Sequence, residues 1–233
     1  MRILISGASR GIGRALAKTL ALDGHQVLGL ARNEEGLQTL QNEIINLFPK
    51  ARFSYLKIDL EAIDQKVIGK ALQELGGLDI LVNNAGLLIK KPFAQLKADD
   101  WQRSFAVNVW SVVELIQIAF PFLEASSSAH IVNIGSMGGY PGTQKYPDLI
   151  TYAASKAALA NLSETLSQTF LPNQIAVNCL ALGAVQTEML AEAFPDYQAE
   201  VSPEGIADYI AHFCVHGQKV YNGKVLPVSR SNP

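Results

Sequence analysis

A short apolar run, Arg2–Ser6, breaks into glycines at 7, 11 and 13, and a helical pattern starts at the second of them. A strand that turns into a helix over so few residues needs backbone that bends sharply. Glycine supplies the bend, and its missing Cβ lets a ligand approach the main chain. The first amides of the helix point back at the turn and, with the helix dipole, suit a pyrophosphate. Gly7, Ala8, Ser9, Arg10, Gly11, Ile12 and Gly13 are therefore candidate phosphate contacts. The pattern is G-x-x-x-G-x-G, because Leu16 stands where the commoner G-x-G-x-x-G would place its last glycine. A turn that merely joins strand to helix is the plainer reading of the same residues.

The alternation continues along the chain. Apolar β-type runs predict further strands at 26–30, 53–58, 78–82, 131–134, 175–180 and 225–228. Helical patterns lie between them at 11–22, 34–47, 61–75, 99–123, 151–170 and 203–215. Pro121 is expected to bend or end the fourth of these helices. The stretch 138–148 is rich in Gly and Pro and reads as a loop. Strands joined by crossover helices make a parallel sheet. The expectation is a doubly wound, Rossmann-type α/β fold of about seven strands with helices on both faces. No composition break divides the chain, so a single domain over 1–233 is expected.

The 233 residues are 48% hydrophobic and 17% charged, a globular balance, and the net charge is −2. That charge gives no electrostatic case for nucleic acid or an anionic membrane. Polar residues interrupt every apolar stretch before membrane-spanning length, and the N-terminus reads as no secretory leader, so a cytoplasmic protein is expected. Cys179 and Cys214 sit among apolar residues, as buried thiols of a reducing compartment do. His212 and His216 have i,i+4 spacing, but the accompanying Glu of a zinc-protease helix is missing, and no metal is expected.

The choice of dinucleotide is argued from charge. An NAD site usually offers a carboxylate to the ribose diol at the end of the second strand. Here that point reads Leu30-Ala31-Arg32-Asn33, and the first acid, Glu34, opens the next helix. Arg32 and Arg10 suit a 2′-phosphate, so NADP(H) is expected to be preferred, with NAD(H) as the alternative. Both could equally be solvated surface arginines.

The remaining chemistry-bearing residues lie where the strands end. Tyr152 and Lys156, four apart on a helix, share one face. Ser136 follows the fifth strand, and Asn83 and Asn84 follow the fourth, all at the carboxyl edge where open α/β sheets bind ligands. Asn108 interrupts the apolar side of a long helix and needs hydrogen bonds if buried. Tyr-x-x-x-Lys alone is a weak signal; the ordered set is a strong one.

On these residues the chain resembles the short-chain dehydrogenase/reductase family, in its single-domain Tyr-x-x-x-Lys branch, over about residues 2–228. The β-ketoacyl or carbonyl reductases are the nearest type. The matching residues are Gly7, Gly11, Gly13, Asp59, Asn83-Asn84-Ala85-Gly86, Asn108, Ser136, Tyr152 and Lys156. The resemblance implies hydride transfer between NADP(H) and a small carbonyl or alcohol. Tyr152 would donate the proton, and Lys156 would lower the Tyr152 pKa and hold the nicotinamide ribose. Ser136 would orient the carbonyl, and Asn108 would hold a relay water. Asp59, Leu60 and Asn84 would meet the adenosine end, and Val185 and Thr187 the nicotinamide amide. Asp59 could equally cap a helix starting near Glu61.

Three departures shape the expectations. Leu182 replaces the family's usual proline before Gly183, which predicts a less rigid turn. The loop between Ser136 and Tyr152 is long, and the segment 187–203 is short, which predicts an open site. Leu87, Leu88, Ile89, Tyr140, Met189, Leu190 and Phe194 are expected to give an apolar lining. Apolar residues on more than one face of the helices at 99–123 and 151–170, Trp110 among them, predict a homodimer or homotetramer. Two rivals remain: a nucleotide-binding regulator without turnover, and another enzyme on the same fold, such as an enoyl reductase or epimerase.

Overall fold

In the computed structural model, which describes residues 1–230, seven parallel strands form one sheet. Residues 231–233 of the expected domain lie outside that description. The strands are β1 (Arg2–Ser6), β2 (Gln26–Ala31), β3 (Arg52–Lys57), β4 (Ile80–Asn83), β5 (His130–Ser136), β6 (Ala176–Leu182) and β7 (Val225–Val228). Their order is β3-β2-β1-β4-β5-β6-β7. The winding direction reverses between β1 and β4, and such a reversal opens a crevice at the carboxyl ends of the strands.

Side-chain alternation explains the two faces. Ile3 and Ile5 of β1 point to one side, with Val27, Ile80 and Val82. There they meet α1 (Gly11–Leu22), α2 (Glu34–Leu47) and α8 (Pro203–His216) through Leu16, Leu20, Leu40 and Ile210. Leu4 points to the other side, with Leu28, Leu81 and Ile131. There α3 (Gln65–Glu74), α5 (Ser111–Glu124) and α6 (Ile150–Thr169) supply Leu72, Leu115, Ile116 and Leu159. A sheet covered on both faces needs strands apolar on both, as these are.

Four elements differ from the sequence reading. The third helix begins at Gln65 rather than near 61, because Asp64 accepts hydrogen bonds from the Lys66 and Val67 amides and is the true cap. The helix expected at 99–123 is α4 (Ala98–Phe105), a π-helical stretch at Ala106–Trp110, and then α5. Pro121 does not end it; it sits exposed inside α5, which runs on to Glu124. A short helix, α7 (Glu188–Ala193), falls in the short segment 187–203, where no helix was expected.

The helical run Ala98–Glu124 is, by length and composition, long and apolar enough to cross a membrane, contrary to the expectation. Its Val112, Leu115, Ile116, Ala119 and Leu123 are nonetheless buried in the core layer beside the sheet. That packing accounts for part of the apolarity.

Candidate active site

A cleft of about 610 Å³ opens at the carboxyl edge of the sheet. The glycine turn lines one part of it, from Gly7 to Ile12. The ends of the neighbouring strands contribute Arg32, Asp59, Leu60 and Asn84. Ser136, Tyr152, Lys156, Val185 and Thr187 line the rest. Of the expected contacts, Ala8, Gly13 and Asn108 do not face the cleft. Ala8 and Asn108 are fully buried, and Gly13 is buried inside α1.

The glycine turn is held from below. Gly7 and Gly11 have φ of +73° and +53°, which other residues adopt only at a cost. A Cβ on Gly13 would lie 2.2 Å from the Gly7 carbonyl oxygen and 2.4 Å from Asn84 Nδ2. The third glycine therefore serves packing. Asn84 donates from Nδ2 to the carbonyls of Ser6 (3.0 Å) and Gly7 (3.3 Å), and its own amide donates to Ser6 Oγ (3.1 Å). The Asn84 side chain thus props the turn. Ser6, which the sequence reading passed over, ties the β4 end to it.

The start of α1 is open to an anion. Arg10 occupies the cap position, and among the described residues no side chain caps it; no acid lies in the first turn. By contrast Asn33, Asp64, Thr187 and Ser202 cap α2, α3, α7 and α8. A phosphate would meet free amides at α1, so the residues fit a dinucleotide. Arg32 is exposed, with Nη1 3.6 Å from Glu61 Oε1, and Arg10 Nη1 lies 2.9 Å from Glu192 Oε1. Asp59 accepts the Glu61 amide at 3.0 Å in a turn and caps no helix. Thr187 spends its hydroxyl on the Leu190 amide (3.2 Å), and Val185 is buried in a bridge to Val201.

Ser136, the last residue of β5, lines the cleft with Tyr152. Burial holds the Tyr152 phenol above its ordinary value, and the nearby Ser136 hydroxyl draws it part of the way back. Lys156 is not among the groups that shift it in this structure. Lys156 Nζ donates to the Ile134 carbonyl at 2.7 Å and lies 5.9 Å from the centre of the Tyr152 ring. Burial lowers its own ammonium to about 8. Gly139 lets the loop after β5 lie against α6, since a Cβ there would be 2.6 Å from Ala157 N.

Asn108 sits in the π-helical stretch, a deformation common at functional sites. Its Oδ1 accepts the Leu87 amide (2.7 Å), and its Nδ2 donates to the Leu87 carbonyl (2.9 Å) and Ser155 Oγ (2.8 Å). Ser155 in turn donates to the Tyr152 carbonyl at 2.8 Å. Asn108 thus joins the β4 loop to the Tyr152 helix. A Cβ on Gly86 would stand 3.5 Å from both Asn108 Oδ1 and Lys156 Nζ.

Contacts from three segments hold the rim beside the short segment after Thr187. Lys90 Nζ donates to the Ala193 carbonyl (2.8 Å) and lies 4.2 Å from the Phe194 ring centre, while Tyr146 meets Phe194 edge-on at 6.4 Å. Leu182, in place of the family's usual proline, pairs with both Ser136 and Val228, and the Gly183 amide donates to the Val228 carbonyl. Leu87, Leu88, Met189, Leu190 and Phe194 line the cleft as expected. Ile89 and Tyr140 do not; Met137, Tyr146, Leu149 and Tyr197 take part instead.

A family model for short chain dehydrogenases matches residues 1–198. The chain belongs to the short-chain dehydrogenase/reductase family. It is an NAD(P)-dependent oxidoreductase. The chain is 33% identical over 198 residues to the Escherichia coli 3-oxoacyl-[acyl-carrier-protein] reductase, covering 85% of this chain and 79% of that one. It is 28% identical over 213 residues to an uncharacterised oxidoreductase of Staphylococcus aureus (90% and 88%). A dehydrogenase/reductase structure from Sinorhizobium meliloti superposes with TM-score 0.85 at 30% identity, covering 98% and 93%. A Beutenbergia cavernae structure, assigned as an NAD(P)-dependent gluconate 5-dehydrogenase with NADP at low occupancy, gives TM-score 0.88 at 26% identity, covering 98% and 94%.

The buried ammonium of Lys156 generates a stability prediction. A pKa of about 8 against 10.5 means that holding this proton at neutral pH costs the fold about 3 kcal/mol. The unfolded chain keeps the proton between pH 8 and 10.5 while the folded chain releases it, so stability rises with pH across that window. Lys156→Met should gain about 1–3 kcal/mol at pH 7 in urea unfolding and flatten that rise. An unchanged or lower stability would show that the ammonium carries no such cost.

Proposed function

We propose that the protein reduces apolar ketones or aldehydes to alcohols, or runs the reverse reaction, with NADPH as the preferred cofactor and residues 1–233 as one catalytic domain. One observation carries this reading: Tyr152, with Ser136 and Lys156, lies in the same cleft as the uncapped start of α1. The bound nicotinamide would supply the hydride. Tyr152 gives its hydroxyl proton to the carbonyl oxygen, and Ser136 holds that oxygen by a second hydrogen bond. Bringing the phenol down toward neutrality takes added positive potential near its oxygen. Lys156 supplies part of it if its ammonium turns from the Ile134 carbonyl toward the phenol. Asn108 keeps α6 and the β4 loop in register and holds the relay water. Asp59, Leu60 and Asn84 meet the adenosine end, and Val185 and Thr187 the nicotinamide amide.

The substrate class follows from the lining. Leu88, Met137, Leu149, Met189 and Phe194 put apolar surface in the cleft that Ser136 and Tyr152 line. NADPH is favoured because the end of β2 offers Arg32 and Asn33 in place of a carboxylate, with Arg10 as a second guanidinium, although Glu61 and Glu192 pair with the two arginines. The comparisons support the reading through relatives that are reductases and a neighbour that binds NADP. Cytoplasmic residence is part of the same reading.

Tyr152→Phe keeps the ring and removes the proposed proton donor. Calorimetry should show NADPH bound more tightly than NADH, and unchanged in the variant. Reduction across a panel of apolar carbonyls should fall about 10²–10⁴-fold. Full activity in the variant would refute the acid assignment. Tight NADPH binding without turnover of any panel member would favour a regulator on this fold.

We also propose self-association through the α4–α6 face. Trp110 is 62% exposed there, a large apolar side chain left wet in a single copy. Light scattering at micromolar concentration should give a dimer or tetramer; a monomer would contradict this.

A further inference from the structure

Helix α7 lies over the glycine turn, and two of its carboxylates reach the groups that the turn offers a phosphate. Glu192 Oε1 is 2.9 Å from Arg10 Nη1, and Arg10 is the cap residue of α1. Glu188 Oε2 lies 3.4 Å from the position of a Cβ on Gly11, the first residue of α1, and Glu188 lines the cleft. Two carboxylates from one short helix therefore stand at the positive end of α1. At its far end α7 is held by Lys90, which donates to the Ala193 carbonyl.

A dinucleotide seated at this turn brings phosphate charge to the same place. Arg10 cannot give its full set of donors to Glu192 and to a 2′-phosphate together. A pyrophosphate at the α1 amides would also feel the Glu188 charge, since like charges at short range repel. Both side chains of the Arg10–Glu192 pair are more than half exposed, so solvent screens the competition and keeps it modest.

We propose that Glu188 and Glu192 compete with the cofactor phosphates for the start of α1 and for Arg10, and so set cofactor affinity. The two act at different phosphates. Glu192 opposes the 2′-phosphate through Arg10 and weakens NADPH alone. Glu188 opposes the pyrophosphate and weakens NADPH and NADH alike. The inference rests on the glycine turn as the phosphate seat and on Arg10 as a 2′-phosphate contact.

Titration calorimetry with NADPH and NADH, at low and high salt, tests it without any turnover. Glu192→Gln should tighten NADPH about 2–5-fold and leave NADH unchanged. The gain should shrink at high salt and vanish in an Arg10→Gln background. Glu188→Gln should tighten both cofactors by a similar factor. Both glutamates are exposed, and a thermal melt of each variant verifies that the fold is kept. An unchanged or weaker NADPH affinity in Glu192→Gln would overturn the competition. So would a gain that survives without Arg10 or that NADH shares equally. If the unmutated protein binds neither cofactor, the phosphate seat is wrong and the proposal falls with it.

Discussion

The close approach of Gly13 to the Gly7 carbonyl and Asn84 is the constraint on which the rest of the cleft depends. It leaves no room for a Cβ at position 13, and it locks β1, α1 and the end of β4 to one another. Those elements meet where the sheet reverses its winding. The exposed amides at the start of α1 then face the ends of β4 and β5, so a phosphate seat and the Ser136–Tyr152 pair open into one cleft. Neither would be placed without the other. Gly11 differs from Gly13 in kind: it has a positive φ and lines the cleft, so it belongs to the surface that a ligand meets.

A second constraint is charge without solvent. Lys156 is 3% exposed, and its ammonium is satisfied by the carbonyl of Ile134 rather than by a carboxylate. Burial pushes Lys156 down and Tyr152 up, so each is driven toward its neutral form. The pair stores its usefulness at a cost to stability, as buried functional groups commonly do. Ser155, Asn108 and Leu87 fix the geometry around it with hydrogen bonds that close on one another.

Much of the fold was legible because its signals are local. The strand–glycine–helix opening, the apolar strands and the alternation with helices all follow from side-chain period and backbone freedom. What escaped depends on contacts far apart in sequence. The π-helical stretch around Asn108 is stabilised by Leu87 and Ser155, one before it and one well after. Helix α7 is six residues long, too short for a period to show, and begins only because Thr187 caps it. The choice of Asp64 over Asp59 as cap is a matter of two amides that the sequence does not order. The site residues were legible as a set, since strand ends bring them to one edge. Their partners were not: Arg10 and Arg32 were read for a phosphate, with no sign that Glu192 and Glu61 stand beside them. The rim also escaped, because Lys90, Phe194 and Tyr146 come from three separate segments.

The central claim is that this cleft moves a hydride to a carbonyl carbon. The most direct measurement uses NADPH deuterated at nicotinamide C4, incubated with the protein and an apolar ketone, and follows the label by NMR. The account predicts deuterium on the carbinol carbon of the product, of one configuration. Deuterium appearing elsewhere in the product, or at both faces equally, would contradict it.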